Sequence, residues 1–272
     1  MTVLAASNRL FDIGANLTNS RFDKDLPEVL QRAYLAGVAH IVVTGTSIEV
    51  SQRALALAQQ YPRLLSCTAG IHPHDASSWN TDSADVIRNL ANHHQVVALG
   101  ECGLDFNRNY SSPEQQLGCF EAQLQLAAEL NKPLFLHQRD AHDPFIKLIE
   151  RYRSQLGNIV VHCFTGSKQE VQACIDLDCH IGITGWIADN KRGEELRQLV
   201  RAIPLDKLMI ETDSPYLTPQ NIRPKPKSRR NEPAYLPYVL QKLSEVMDID
   251  ISTLSKTVFT NSVEFFKLEP SQ

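Results

Sequence analysis

No apolar run in this 272-residue chain approaches the roughly 20 residues needed to cross a bilayer. The first nine residues, Met1 to Arg9, have neither a charged n-region nor an apolar h-region, so no secretory leader is expected and the cytoplasm is the expected compartment. The cysteines at 67, 102, 119, 163, 174 and 179 form no C-x-x-C pair and no zinc-ribbon spacing. That points to reduced, buried thiols rather than a disulfide framework. Positive charge is not in excess either: 27 Lys and Arg against 31 Asp and Glu leave −4, so a polyanionic partner would have to meet a local basic patch. No G-x-G-x-x-G follows any apolar run, which removes the dinucleotide fingerprint. Repeats, low-complexity tracts and linkers are also missing, and one domain over residues 1–272 is expected.

What is present alternates. Leu10 to Ile13, Ala39 to Val43, Leu64 to Ala69, Val96 to Leu99, Pro133 to Leu136, Ile159 to Val161, His180 to Ile183 and Lys207 to Ile210 read as short buried strands. Helical stretches separate them, with Asp25 as an N-cap, a capping box at Thr46-x-x-Glu49 and another at Ser167-x-x-Glu170. Ser112-Pro113-Glu114 supplies a cap, an N1 proline and an early acid. Two helical stretches, Ala234 to Met247 and Ser252 to Lys267, close the chain. Eight strand–helix units favour a TIM (β/α)8 barrel, with a doubly wound sheet as the alternative.

Chemistry follows the strands. Asp12 ends the first, His72 follows the third, Glu101 the fourth, His137 the fifth, His162 the sixth and Asp213 the eighth. Singly, each is a satisfied polar residue or a cap; in a barrel all six face one mouth. Imidazoles mixed with carboxylates suit a divalent ion of borderline to hard character, Zn, Mn or Mg. Such an ion lowers the pKa of its bound water and a carboxylate accepts the proton, which is metal-assisted hydrolysis. Cys163 is expected to point away from His162 if strand alternation persists.

The motifs carrying these residues resemble the TatD family of metal-dependent deoxyribonucleases. They are His72-Pro73-His74, Gly100-Glu101-Cys102-Gly103-Leu104-Asp105-Phe106, His137-Gln138-Arg139-Asp140-Ala141, His162-Cys163-Phe164-Thr165-Gly166, Glu211-Thr212-Asp213-Ser214-Pro215-Tyr216-Leu217 and Arg230-Asn231-Glu232-Pro233. The resemblance covers Phe11 to Phe266 and implies a barrel of the metallo-dependent hydrolase superfamily. It also implies a magnesium-activated 3′–5′ exonuclease acting on DNA, preferably single-stranded, with RNA as a second substrate and a monomeric enzyme expected. It places Glu101, His137, His162 and Asp213 as metal ligands, with Asp213 also the base and His72 beside the scissile phosphate. One departure stands out: most of the family carries an H-x-H pair where this chain reads Gly14-Ala15-Asn16. That leaves Asp12 and Asn16 as weak candidates for a second metal position.

On the phosphate side, Arg223 to Arg230 packs five cations into eight residues without an acid. It reads either as a solvated loop or, lying over the mouth, as a phosphodiester contact through Arg229 and Arg230. Arg139 reads as a phosphate clamp or a partner of Asp140, His74 as a support or a substrate contact. Phe106, Trp186 and Tyr216 stack bases or pack the core. Two other functions fit the same sequence: an amide or ester hydrolase, such as a D-aminoacyl-tRNA deacylase, and an inactive nucleic-acid-binding scaffold.

Overall fold

In a computed structural model, which describes residues 9–268, eight parallel strands lie side by side in chain order. They are β1 (Leu10–Ala15), β2 (Val38–Val43), β3 (Leu65–Ala69), β4 (Val96–Asp105), β5 (Leu134–Arg139), β6 (Ile159–Val161), β7 (Cys179–Ile183) and β8 (Leu208–Ile210). A parallel bridge between Ala15 and Ser214 brings the two ends together, so the sheet curls into a nearly closed TIM barrel. Helices α1 (Leu26–Leu35), α2 (Ile48–Gln60), α3 (Ser83–Ala91), α4 (Pro113–Leu130), α5 (His142–Tyr152), α6 (Lys168–Asp176) and α7 (Glu194–Leu199) follow strands β1 to β7 in turn, with α3 between β3 and β4; α8 (Leu236–Met247) and α9 (Ile251–Phe266) come last. Among the described residues no helix is long and apolar enough to cross a membrane.

The caps follow local chemistry where local chemistry is free to act. Ser112 and Ser167 each complete a capping box, with Gln115 and Glu170 reaching back. At α2 the cap is Ser47, whose hydroxyl accepts from Val50 N, and not Thr46. Asp25 makes no cap bond at all, because Arg230 and Arg32 take its carboxylate.

Strand β4 runs six residues past Leu99. Gly100 and Gly103 both have φ above +130°, and a Cβ on either would lie about 2 Å from a β5 carbonyl, that of Phe135 or His137. Only glycine lets β4 press so closely on β5. Glu101 therefore sits inside a strand whose register shifts between Leu99 and Cys102, rather than in the loop after it.

Alternate residues of the strands fill the barrel interior. Phe11, Ile13, Val42, Val97, Phe135, Val160 and Met209 form one apolar cluster, closed at the amino ends of the strands by Phe265 and Phe266 of α9. Phe266 stacks on Phe11 with centroids 5.6 Å apart. A second, larger cluster fills the layer between strands and helices. The interior is thus apolar at one end, which leaves the polar groups to the other.

Two imidazoles join the apolar end. His40 lies 4.9 Å from the Phe11 ring and shares a hydrogen bond of 2.9 Å with Ser66, and His180 sits edge-on to Phe265. Burial pushes the pKa of each down to about 4. A histidine whose folded pKa lies below its unfolded value contributes stability above the unfolded pKa and loses it as pH falls toward the folded one. Denaturant unfolding at pH 5 should therefore give about 1–2 kcal/mol less stability from His40 than at pH 7, after allowing for its partial exposure. His40→Gln should remove that share of the slope; an unchanged pH 5 to pH 7 difference in the variant would refute it.

Candidate active site

At the carboxyl ends of the strands lies a cavity of about 540 Å³, lined by His72, His74, Glu101, His137, His162 and Asp213, with Asn16, Cys163 and Tyr216 at its sides. Its centre is one oxygen. Glu101 Oε1 lies 2.8 Å from His162 Nε2, 3.1 Å from His137 Nδ1 and 3.2 Å from His72 Nε2. The side chains of Glu101 and His162 are almost completely buried, and that of His72 nearly so.

The far nitrogens distinguish the three rings. His137 Nε2 faces Asp105 Oδ2 at 3.3 Å, and His162 Nδ1 faces Glu211 Oε2 at 3.3 Å. When neutral, each ring donates its far N–H to a carboxylate and turns a lone pair toward Glu101, the orientation in which a histidine binds a metal. His72 is wired the other way: its Nδ1 accepts from His74 N at 3.0 Å, so the proton sits on Nε2. His72 is therefore a hydrogen-bond donor into the cavity, although one possible ligand atom from each of His72, Glu101 and His137 lies within 4.8 Å of the other two.

The charges follow from these contacts. Burial raises the Glu101 pKa, but the positive His162, the adjacent His72 ring and hydrogen bonds from His137 and His162 outweigh it and hold the carboxyl well below its usual range. Burial works against charge on His162, yet Glu101 and Glu211 on its two sides keep it protonated well above the usual imidazole range. His137 is likewise raised by Asp105 and Glu101 against its burial, while burial wins at His72 and lowers it. Asp213 has no such cation in contact. Burial, reinforced by Glu101 and Glu211 and only partly offset by His162, pushes it up to about 7. Its Oδ1 accepts from Asn16 Nδ2 at 2.9 Å.

Two carboxylates, Glu101 and Asp213, and two imidazoles that can turn a lone pair inward, His137 and His162, fit a borderline-to-hard divalent cation by the chemistry of the donors. No thiolate competes, because burial and the nearby Asp213 and Glu211 push the Cys163 thiol well above its usual range. Strand alternation does not persist to Cys163, however. It has φ +45°, its side chain lines the cavity, and its N–H turns back to Glu211 Oε1.

Other sequence candidates fall elsewhere. Asp12 is fully buried in mid-strand, with its oxygens taken by the Thr212 N–H at 2.9 Å, the Thr212 hydroxyl and Gly14 N at 3.3 Å. Arg230 is spent on Asp25 (two bonds of 2.7 Å) and lies over Phe22, so it fastens the loop to α1. Arg229 faces a second cavity next door, and Arg139 lines neither. Asp140 bonds Asn107 Nδ2 at 2.7 Å and makes no ion pair with Arg139 among the described residues. His74 joins His137 on Asp105 Oδ2, at 2.9 Å. Phe106 packs on the core, Trp186 is half-buried, and Tyr216 is exposed at the rim.

Glu211 is the residue that position after a strand could have found and did not, because Asp213 stands two places on. It is completely buried, and two glycines make room for it: a Cβ on Gly14 would meet Glu211 Oε2 at 2.5 Å, and one on Gly182 would meet Oε1 at 2.6 Å. Gly14 and Gly182 thus leave open the volume that the Glu211 carboxylate fills.

Residues 11–267 match the family described as TatD related DNase. The chain is 52% identical over 259 residues to the 3′-5′ ssDNA/RNA exonuclease TatD of Salmonella typhimurium, covering 95% of this chain and 99% of that protein. It is 50% identical over 257 residues to the protein of that name from Escherichia coli K12, covering 94% and 98%. Among solved structures, a TatD family hydrolase from Entamoeba histolytica superposes with a TM-score of 0.87 at 27% identity, over 95% and 98% of the two chains. A TatD homologue from Escherichia coli K12, YJJV, gives 0.86 at 29% identity, over 97% and 100%.

Gly14→Ala should cost about 1–3 kcal/mol by overpacking against Glu211 and Phe135. Combining it with Glu211→Ala should recover part of the loss in a denaturation double-mutant cycle; strictly additive effects would show the two do not compete for space.

Proposed function

The chain belongs to the TatD related DNase family, and on that premise we propose that it is a metal-dependent exonuclease releasing nucleotides from the 3′ end of single-stranded DNA and RNA. Its closest support is the arrangement around Glu101 Oε1, where two imidazoles carry a carboxylate on the far nitrogen and present a lone pair inward. A divalent cation held there, magnesium before manganese or zinc, neutralises phosphate charge and lowers the pKa of water.

Glu101, His137 and His162 hold that ion, and Asp105 and Glu211 fix the two rings in the ligating tautomer. Asp213, poised near neutrality and oriented by Asn16, takes the proton from the attacking water. It also lines the cavity, where it would be a further ligand to the ion. His72 offers its Nε2–H to a phosphate oxygen, where charge develops in the transition state. His74 keeps Asp105 aligned with His137. Asp12 is left out of this reading because its oxygens are already engaged, and Asn16 serves Asp213 rather than a second ion.

Purified protein with magnesium should shorten a 5′-labelled single-stranded oligonucleotide from its 3′ end, and chelation should stop it. Glu101→Ala and His137→Ala should each lower kcat by about a thousandfold or more, and Asp213→Asn by about a hundredfold or more. A clean preparation with no metal-dependent nucleotide release would overturn the reading.

Because His162 is protonated before an ion arrives and must be neutral to ligate one, binding should expel a proton and tighten as pH rises. Calorimetry of magnesium or manganese binding in buffers of different ionisation enthalpy measures this directly. Heats independent of the buffer would exclude a coupled imidazole proton.

A further inference from the structure

Beside the catalytic cavity lies a larger one of about 890 Å³, built from the loops after β7 and β8. Tyr216 lines both, so the two form one path across the mouth. Its hydroxyl accepts from Asn19 Nδ2 at 3.2 Å, which ties the side chain to the loop after β1.

Five cations, Arg21, Arg192, Arg223, Lys225 and Arg229, line the second cavity, against the carboxylate of Asp189. That carboxylate is already consumed. Asp189 binds Arg192 through both Nε and Nη2 and accepts from Gln220 Nε2 at 2.9 Å. Among the described residues neither Lys225 nor Arg229 has a carboxylate partner, whereas Arg230 of the same basic run does. The run is therefore divided: Arg230 fastens the loop, while Arg223, Lys225 and Arg229 line an open groove.

The groove also has a flat surface. The Arg192 guanidinium lies 4.3 Å over the Trp186 ring, and the indole N–H is spent on the Arg192 carbonyl at 3.1 Å. The Arg192 side chain is 61% exposed, so the outer face of this stacked pair is open. A planar, sequence-blind platform flanked by unpaired cations has the chemistry of a single-stranded polynucleotide site, where bases stack and phosphates meet positive charge.

We propose that this groove seats the nucleotides that trail the 3′ end of the substrate, with the Trp186–Arg192 pair as the base platform, Lys225 and Arg229 on the phosphates, and Tyr216 as the divider from the reacting end. This rests on the exonuclease reading above and adds a site that would make the enzyme prefer strands to short fragments.

The test compares kcat/KM for a 12-residue oligothymidylate with that for the dinucleotide, as a ratio. In Arg192→Ala and Trp186→Ala the ratio should fall about tenfold, through KM for the longer strand, and Trp186→Phe should restore most of it. Lys225→Gln combined with Arg229→Gln should flatten the logarithmic salt dependence of 12-mer binding by about 1.4, from two lost phosphate contacts on a single strand. A wild-type enzyme that degrades neither substrate would overturn the exonuclease reading itself. An active wild type with no preference for the longer strand, or an unchanged ratio in Arg192→Ala with an unchanged salt slope in the lysine–arginine variant, would overturn the groove alone. Arg192, Lys225 and Arg229 are surface side chains, so their variants keep the test decisive even if Trp186→Ala does not fold.

Discussion

Three imidazole nitrogens within 3.2 Å of a single buried carboxylate oxygen form the constraint from which the rest of the mouth follows. Removing such a carboxylate from water is costly, and it is tolerated only if every remaining atom is satisfied. That requirement brings in a second layer of acids, Asp105 behind His137 and His74, and Glu211 behind His162. Those acids need partners in turn. Asp105 accepts from the Asn107 and Arg108 amides, and Gln116 of α4 holds its backbone from both sides. Glu211 takes the Cys163 amide, which explains why Cys163 turns into the left-handed region. The network grows outward until it reaches backbone, and the helix that follows β4 is part of it.

Much of this could be read from the chain, and the exceptions have physical causes. Ser112 and Ser167 were legible because capping is settled within four residues. Asp25 misleads because its partners, Arg32 and Arg230, lie seven and 205 residues away, beyond the reach of a local capping pattern. Glycine after Leu99 reads as the end of a strand, yet here it lets β4 continue against β5, which no local pattern reveals. The basic run showed its charge but not its division, since only the fold decides that Arg230 meets Asp25 while Arg229 meets open space. Position after a strand gathered five of the six chemical residues into one cavity. It could not show that Asp12 is a fastener, or that His72 and the neutral form of His162 carry their proton on opposite nitrogens, because tautomers are set by what lies behind the ring.

The apolar end of the barrel does the opposite task. Phe265 and Phe266 close it against Phe11, so the interior grades from hydrocarbon at the base to ionised groups at the rim. The same burial that keeps His40 and His180 neutral below keeps Asp213 near neutrality above. Low polarity is a property of the whole interior, and the two ends use it differently.

The seam between β1 and β8 has a further meaning. Asn16 reaches Asp213 across 197 residues, Asp12 holds Thr212, and Asp213 N bonds the Gly14 carbonyl. Bringing together contacts this distant in the chain costs loop-closure entropy, which the folded barrel between them offsets. The Asp213 carboxylate is thus oriented only where the two ends of the barrel meet.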